Sequence, residues 1–345
     1  MLLYWINLTM VPVWAILYKF LRIKNERNLL IVLFIQLYLI LAFRNPSVGI
    51  DSIPYINIFE RTKRHSFFDF SFSRHEPGYL FFNKMLGFID SHQIFIAIMA
   101  FIPLIMIFRF ISKESKIIWL SIFLFITLGF YTNTFNWMRQ IIAMALVATS
   151  YSYLKNENKK GFFIYVFLAT LFHVSAIAFL IVYFVRKIKI NQKSIITYLI
   201  TMIITYLFSG QIIKFSVGLV ATIDYSFARD GGVSLLLFYI GILFIGLLFK
   251  NQFLSDDPRS SILYHILFLA VIFQIFALDF ALMTRVTRYF SLFLIIFIPN
   301  IIASVRNNKL IVLGIYLLSV FSIWFYYRAL SSDVSSIVPY NFFWN

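Results

Sequence analysis

Two pairs of polar residues, one an asparagine and an arginine and the other two arginines, lie at the ends of apolar stretches in a chain of 345 residues that is 61% hydrophobic. Asn136 precedes Arg139 by three positions, and Arg285 precedes Arg288 by three, so each pair shares a helix face. An arginine in hydrocarbon must find an anion or a polar cavity. Its planar fork stays charged and holds two phosphate oxygens at once. Several arginines facing one cavity therefore indicate a diphosphate ligand rather than a carboxylate.

The arginines of both pairs also have a purely structural interpretation. Arg139 could be an arginine at a helix end whose charged head reaches the membrane surface while its stem stays in the apolar layer. Arg285 and Arg288 could be charges that flank a span. The residues alone leave both interpretations open.

Two carboxylates are candidates for a general base. Asp51 lies in Arg44-x4-Gly49-x-Asp51, and Glu76 precedes a proline and a glycine that fix a turn. Either carboxylate could deprotonate an attacking hydroxyl, or either could be the structural partner of Arg44 or Arg74. The sequence does not choose between these roles.

His173 is a third candidate, at a point where an apolar segment is expected to break. It could be a base, a phosphate ligand or a hydrogen-bonded packing residue. His65 and His75 carry no metal-ligand pattern, and the chain has no paired-aspartate motif. A divalent-metal mechanism is therefore disfavoured, and neither a metal nor a cofactor is predicted.

The composition is that of a polytopic, all-α membrane protein. Only 13% of the residues are charged, 43 are phenylalanine, and the mean hydropathy is +0.86. The net charge of +16 falls largely in short loops between apolar segments, where it reports orientation. We therefore predict a lipid bilayer as the surroundings and no nucleic-acid partner.

The apolar segments predict about ten transmembrane helices in a single integral membrane domain, 1–345. They lie near residues 2–20, 28–43, 92–111, 117–135, 137–154, 194–209, 233–249, 260–279, 286–305 and 309–329.

Segment 161–185 is long enough to cross once, but the loop charges favour a re-entrant pair of half-helices. If the basic loops near 22–27, 109–116 and 155–160 are cytoplasmic, a single crossing would put the basic cluster 186–193 outside. A turn near Phe172-His173-Val174-Ser175 returns that cluster to the cytoplasmic side. Non-helical backbone at membrane depth is tolerated where it lines a polar cavity.

This orientation places the unusual polar residues on the non-cytoplasmic side. Two longer segments, 44–91 and 210–232, become outer loops with interfacial helices. Within the first, Tyr79 to Phe88 is an amphipathic piece.

The ordered motifs resemble those of the EpsG family, membrane polymerases of bacterial exopolysaccharide, capsule and O-antigen that are broadly of the Wzy type. The resemblance covers Arg44 to Tyr340. Its motifs are Arg44-x4-Gly49-x-Asp51-x3-Tyr55, Glu76-Pro77-Gly78-Tyr79, Asn136-x-x-Arg139-Gln140, Phe172-His173-x-Ser175-Ala176, Arg285-x-x-Arg288-Tyr289 and Pro339-Tyr340.

The resemblance implies a glycosyltransferase of the GT-C kind in the bacterial cytoplasmic membrane, with its site facing the periplasm or the cell exterior. Donor and acceptor would both be undecaprenyl-diphosphate-linked glycans, and a chain-length regulator is a further expected partner. Inversion at the anomeric carbon is expected, because one base and no covalent nucleophile suffice.

The expected site residues fall into three groups. They are the catalytic candidates Glu76, Asp51 and His173; the diphosphate ligands Arg139, Arg285, Arg288 and Arg44; and the substrate contacts Asn136, Gln140, Tyr79, Tyr289 and Tyr340.

Three rival functions remain. An O-antigen ligase uses similar donors, and the residues do not separate it from a polymerase. A membrane acyltransferase could use His173 but has no need of several arginines. A lipid-linked glycan flippase would need charges through the depth of a lumen, whereas here they gather on one side.

Overall fold

The computed structural model describes residues 1–23, 26–218, 232–332 and 335–344. Within these ranges the chain is all-helical, as the composition predicts, and no strand is found. The only extended pairing among them is an isolated antiparallel bridge between Arg44 and Phe342.

The α-helices follow one another with short connections. They are α1 (Leu2–Phe20), α2 (Glu26–Ala42), α3 (Ser52–Lys63), α4 (Pro77–Met85), α5 (His92–Glu114), α6 (Ile118–Thr127), α7 (Phe130–Asn133), α8 (Met138–Lys155), α9 (Lys159–Phe172), α10 (Ile181–Val185), α11 (Gln192–Gly218), α12 (Val233–Leu248), α13 (Lys250–Asp256), α14 (Ser261–Asp279), α15 (Met283–Ser291), α16 (Leu294–Ser304) and α17 (Asn308–Ser331). Two 3₁₀ helices, Val174–Leu180 and Pro258–Ser260, precede α10 and α14.

Six helical segments in the described residues are long and apolar enough to cross a bilayer. They are Leu2–Phe20, His92–Glu114, Gln192–Phe215, Pro258–Asp279, Met283–Ser304 and Asn308–Ser331. The pair α12 and α13, bent by 71°, would make a seventh. The predicted number of about ten stays a prediction, because α2 has 17 residues and α6 only 10.

Burial separates a helical core from a lipid-facing shell. Most residues of Pro258–Asp279 and Met283–Ser304 are buried, whereas Gln192–Phe215 and Asn308–Ser331 expose most of theirs. The exposed side chains of the shell are largely leucine, isoleucine and phenylalanine. A continuous apolar surface of this extent is stable only against hydrocarbon, so the protein is a membrane protein.

The chain reverses at His173, as the loop charges predict. Phe162 near the start of α9 packs on Tyr183 in α10, with ring centroids 5.9 Å apart. A continuous helix would separate these residues by about 32 Å. His173 itself is extended (φ −157°, ψ 112°) between α9 and the following 3₁₀ helix. We call residues 159–185 the hairpin.

The reversal brings the basic segment 186–193 to the side of the molecule predicted to hold the other basic loops. Lys250 donates to the carbonyl of Ile190 at 3.0 Å. On the same side, Lys116 pairs with Asp256 at 2.7 Å. Arg259 donates to Asn156 at 3.1 Å, so the loops 109–116, 155–160, 186–193 and 250–259 share one face.

The structure can be compared with the predicted boundaries of three further segments: 210–232, 44–91 and 117–135. Of the segment 210–232, predicted to be an outer loop, residues 210–218 continue α11, while 219–231 lie outside the described residues. Segment 44–91 contains the short helices α3 and α4, and their position at the outer membrane interface stays a prediction. The predicted span 117–135 is interrupted where Gly129, with φ +82°, ends α6.

Substitution of Lys155 tests whether the polar network on this face stabilises the protein. It pairs with Glu114 at 3.0 Å and Asp257 at 2.8 Å, and the Glu114 side chain is only 7% exposed. Lys155→Ala would leave a buried carboxylate without its cation, so we expect the free energy of unfolding in detergent to fall by about 3 kcal/mol. The exposed Lys113→Ala is the control, and an equal effect of both substitutions would contradict the network's role.

Candidate functional site

A cavity of about 560 Å³ opens where α3, α8, the hairpin turn and α15 meet. Its walls mix charged, polar and apolar side chains. They are Asp51, Pro54, Tyr55, Ile58, His75, Trp137, Arg139, Gln140, His173, Ala281, Leu282, Thr284, Arg285 and Arg288. The cavity therefore gathers six predicted site residues that are up to 237 positions apart in the sequence.

Asp51 enters the cavity from the N-terminus of α3. The preceding turn needs Gly49, which has φ +99° and lies so close to Asn136 Oδ1 and the Phe135 carbonyl that a Cβ would meet both at 2.8 Å. The backbone N–H of Asp51 donates to Asn136 Oδ1 at 3.3 Å. The turn thus fixes where the carboxylate points.

The Asp51 carboxylate has no ion-pair partner within 4.0 Å in the described part of the chain. Burial raises its pKa above the ordinary aspartate value, and the nearby charges of Arg285 and Arg139 partly offset that rise. A half-buried carboxylate of raised pKa in a cavity has the properties of a general base.

Glu76 is committed to structural contacts instead. It occupies the N-cap position of α4 in extended conformation and forms an ion pair with Arg139. Its other oxygen accepts from the backbone N–H of Val174 at 3.3 Å. One carboxylate therefore joins α4, α8 and the hairpin turn.

Gly78 permits the close approach that this contact requires. A Cβ at this position would lie 2.6 Å from both Cβ and the carbonyl oxygen of Leu171 in α9. Pro77 meanwhile occupies the first turn of α4, where its missing N–H costs nothing. The Glu-Pro-Gly sequence thus allows α4 to pack closely against the hairpin.

Arg139 lies beside two aromatic rings as well as Glu76. Its guanidinium carbon is 6.0 Å from the centre of the Tyr55 ring and 5.9 Å from that of Tyr79. The Nε of Arg139 has no hydrogen-bond partner in the described residues. An anion bound in the cavity would therefore face the Arg139 guanidinium, which forms part of the cavity wall.

Arg285 and Arg288 face the cavity from one side of α15, as their spacing predicts. Gln140 in α8 donates to the carbonyl of Arg285 at 2.8 Å and so fixes the register of the two helices. The guanidinium of Arg288 stacks over the Trp137 ring at 4.2 Å. Stacking holds the planar group in place without neutralising its charge.

His173 forms the floor of the cavity at the hairpin turn. Its Nδ1 lies 2.8 Å from Ser175 Oγ, which is 3.4 Å from the hydroxyl of Tyr289. This serine fixes the imidazole while the ring remains on the cavity wall. Tyr289 is itself fully buried and reaches the site through Ser175 and through its ring, whose centroid lies 6.4 Å from that of His173.

Four other predicted residues lie behind the cavity wall. Asn136 donates to the Ser335 carbonyl at 3.0 Å, and Tyr340 donates to the Ile40 carbonyl at 2.8 Å. Tyr79 is fully buried beneath Arg139. Arg44 is 1% exposed, 4.9 Å above the Phe135 ring, and does not line the cavity.

The position of Arg44 follows from the C-terminal segment. Residues 335–344 lie along residues 43–50: Gly49 N–H donates to the Ser336 carbonyl at 2.9 Å and Asn45 N–H to the Asn341 carbonyl at 2.8 Å. This long-range pairing covers Arg44, and no local pattern in the sequence signals it.

The cavity also contains residues that sequence reasoning had not assigned to the site. His75 was set aside for lack of a metal pattern, yet it lines the cavity; burial lowers its pKa, and the charge of Arg139 lowers it further. Thr284 and Tyr55 also contribute to the wall. The available signal was adjacency, since each lies within four positions of a predicted site residue.

A metal-binding cluster of three or more His, Cys, Asp or Glu side chains is not found among the described residues. The cavity instead offers three guanidinium groups, of which Arg139 is paired with Glu76, and the carboxylate of Asp51, which has no ion-pair partner among the described residues. Such a set can hold a polyanion and remove a proton beside it.

Comparison with known families gives one match. The model of the EpsG family matches residues 27–342, which is nearly the whole chain and includes every residue of the cavity wall. Neither a curated protein nor a solved structure matches the chain.

Gly78→Val tests how the site is assembled. The added side chain would collide with the backbone of Leu171, so α4 must move away from the hairpin. We expect a loss of about 2 kcal/mol in the free energy of unfolding in detergent. Gly314→Ala, at a helical glycine with open space around it, is the control. Equal thermal stability of the two variants would show that α4 does not depend on this approach.

Proposed function

The chain belongs to the EpsG family, and we propose that it polymerises undecaprenyl-diphosphate-linked oligosaccharide repeat units. The observation that carries the proposal is the convergence of Arg139, Arg285, Arg288 and Asp51 on one cavity. A polyprenyl-diphosphate donor presents two phosphates beside the reacting carbon. Arginines are the side chains best suited to hold them.

In the proposed reaction, the growing glycan moves from its lipid diphosphate to a fresh lipid-linked unit. The acceptor is the hydroxyl at the non-reducing end of that unit. Its oxygen forms a bond to the anomeric carbon of the donor as the bond from that carbon to the diphosphate oxygen breaks. The leaving diphosphate keeps the electron pair, and the acceptor proton passes to a base.

We assign the base role to Asp51 and a positioning role to Glu76. Asp51 lines the cavity and has no ion-pair partner in the described part of the chain, whereas Glu76 is held by Arg139 and Val174. Because both oxygens of Glu76 already accept hydrogen bonds from the protein, neither is presented to an acceptor hydroxyl. His173 lines the same wall and would contact the acceptor sugar.

The arginines would stabilise the charge that develops on the leaving diphosphate. Arg285 and Arg288 project from one helix, and Arg139 faces them from another. Preorganised cations that line the cavity stabilise such charge without having to reorganise during the reaction. One base and no covalent nucleophile give inversion, and the arginines perform the electrostatic work in a metal-independent mechanism.

The proposed setting is the bacterial cytoplasmic membrane, with the cavity on its outer side. The basic loops that share the opposite face support this orientation, because cytoplasmic loops carry an excess of lysine and arginine. About ten crossings, a hairpin that re-enters the membrane and a GT-C-like arrangement belong to the same proposal, as does a chain-length regulator.

The proposal is tested with purified protein and one synthetic lipid-linked repeat unit. Polymerisation predicts products that grow by whole repeats, with one undecaprenyl diphosphate released per bond. An O-antigen ligase would leave the repeat unit unextended in the absence of a lipid A core. A flippase would move lipid across vesicles and release no diphosphate.

Asp51→Asn is expected to lower kcat in this assay by about 10²- to 10⁴-fold, because it removes the base. Asn keeps the size of the side chain and the turn around Gly49. Asp90→Asn, at a carboxylate fully exposed in the same outer segment, is the control. Full activity of Asp51→Asn would contradict the assignment and turn attention to Glu76 and His173.

The pH profile provides a separate check on Asp51. A base must be ionised, and burial raises the Asp51 pKa, so activity should fall with decreasing pH through a value above that of ordinary aspartate. Arg285→Gln removes the cation that lowers this pKa most, so the acid limb of kcat/KM should move to still higher pH. If the acid limb of kcat/KM lies at the same pH in Arg285→Gln as in wild type, Asp51 is excluded as the titrating group.

A further inference from the structure

A second feature of the molecule is a deep apolar groove between α12, α16 and α17. Its volume is about 510 Å³, and its walls are almost entirely apolar. Aromatic side chains and glycines line it, among them Phe238, Gly241, Phe297, Gly314, Phe321 and Trp324. A side chain built on Gly241 or Gly314 would extend into open space, so these glycines keep the groove open.

The groove runs through most of the membrane depth. On α12 it extends from Ser234, at the outer end, to Gly246 near the inner end. These twelve steps correspond to about 18 Å of helix. One leaflet of the bilayer supplies only about 15 Å of hydrocarbon. The groove therefore follows a single apolar chain past the bilayer midplane, which suits a long polyprenyl tail.

A cation lies at the outer mouth of the groove. Arg328 is exposed, one turn beyond Trp324 on α17, and its guanidinium lies 5.3 Å above the indole ring. An apolar channel with an arginine at its end matches an amphiphile with an anionic head and one long apolar tail.

The groove lies next to the cavity. On α12, Phe238 lines the groove, while its neighbour Tyr239 lies beside Arg288 of the cavity wall. Beyond the outer end of α17, the Ser335 carbonyl accepts from Asn136, whose Oδ1 holds the Asp51 backbone. A lipid head at the mouth is thus presented to the cavity from its edge.

We propose that this groove binds the polyprenyl tail of the acceptor, the second lipid-linked substrate, with its phosphate at Arg328, while the donor diphosphate occupies the arginines of the cavity. The inference rests on the proposed function for the identity of the lipid. It assigns the tail to one groove out of the several apolar surfaces of the protein. Gly241 and Gly314 leave room for the tail in the groove, and the contact of the phosphate with Arg328 determines how far the tail enters the groove.

The test is photolabelling in nanodiscs with a polyprenyl monophosphate that carries a diazirine in its tail. The proposal predicts labelled peptides from α12 and α17 that unlabelled polyprenyl phosphate competes away and phosphatidylglycerol does not. Gly241→Phe and Gly314→Phe should reduce this labelling about tenfold by filling the groove, and Arg328→Gln about tenfold by removing the phosphate contact. Leu248→Phe, at an exposed apolar position beyond the groove, is the control for an added ring.

Labelling that maps elsewhere, or that phosphatidylglycerol competes away equally well, would overturn the assignment. Unchanged labelling in the folded glycine variants would do the same. The readout is binding rather than turnover. A protein that labels as expected but builds no polymer would therefore overturn the proposed function and leave this inference standing.

Discussion

The structure depends on the ion pair between Glu76 and Arg139. In a membrane protein an arginine away from water must be neutralised or held at a polar cavity. Glu76 supplies the neutralising charge, and its second oxygen accepts from the Val174 N–H. A single carboxylate thereby connects the short helix α4, the core helix α8 and the turn of the hairpin. The cavity exists because these three elements are held together at one point.

This arrangement distinguishes the carboxylate that holds the helices together from the carboxylate that is available as a base, a distinction that the sequence does not make. Glu76 and Asp51 are equivalent candidates for a base when only their types and positions are known. In the structure Glu76 is engaged on both oxygens, whereas Asp51 lines the cavity and has no ion-pair partner within the described ranges. The same division holds among the arginines. Arg285 and Arg288 face the cavity, whereas Arg44 is buried behind Phe135 under the C-terminal segment.

Much of the fold follows from composition and charge. The all-helical membrane architecture follows from the apolar segments, and the reversal at His173 follows from the position of the basic cluster 186–193. The helical spacing of Arg285 and Arg288 places them on one face of α15, as found. The positions of Arg44 and Tyr340 were not predictable, because they depend on pairing between residues about 300 positions apart. His75 was missed because it was judged only as a metal ligand, although it is the sequence neighbour of the predicted site residue Glu76.

The most direct test of the central claim is the surface polysaccharide of a deletion strain complemented with wild type, Arg288→Ala or Asp51→Asn at matched expression. If the cavity polymerises lipid-linked repeats, wild type restores a ladder of chain lengths, and both variants leave a single repeat unit on the acceptor. An unaltered ladder in the two variants would contradict the assignment of this cavity. Loss of even the single unit in the deletion strain would place the protein in ligation or transport instead.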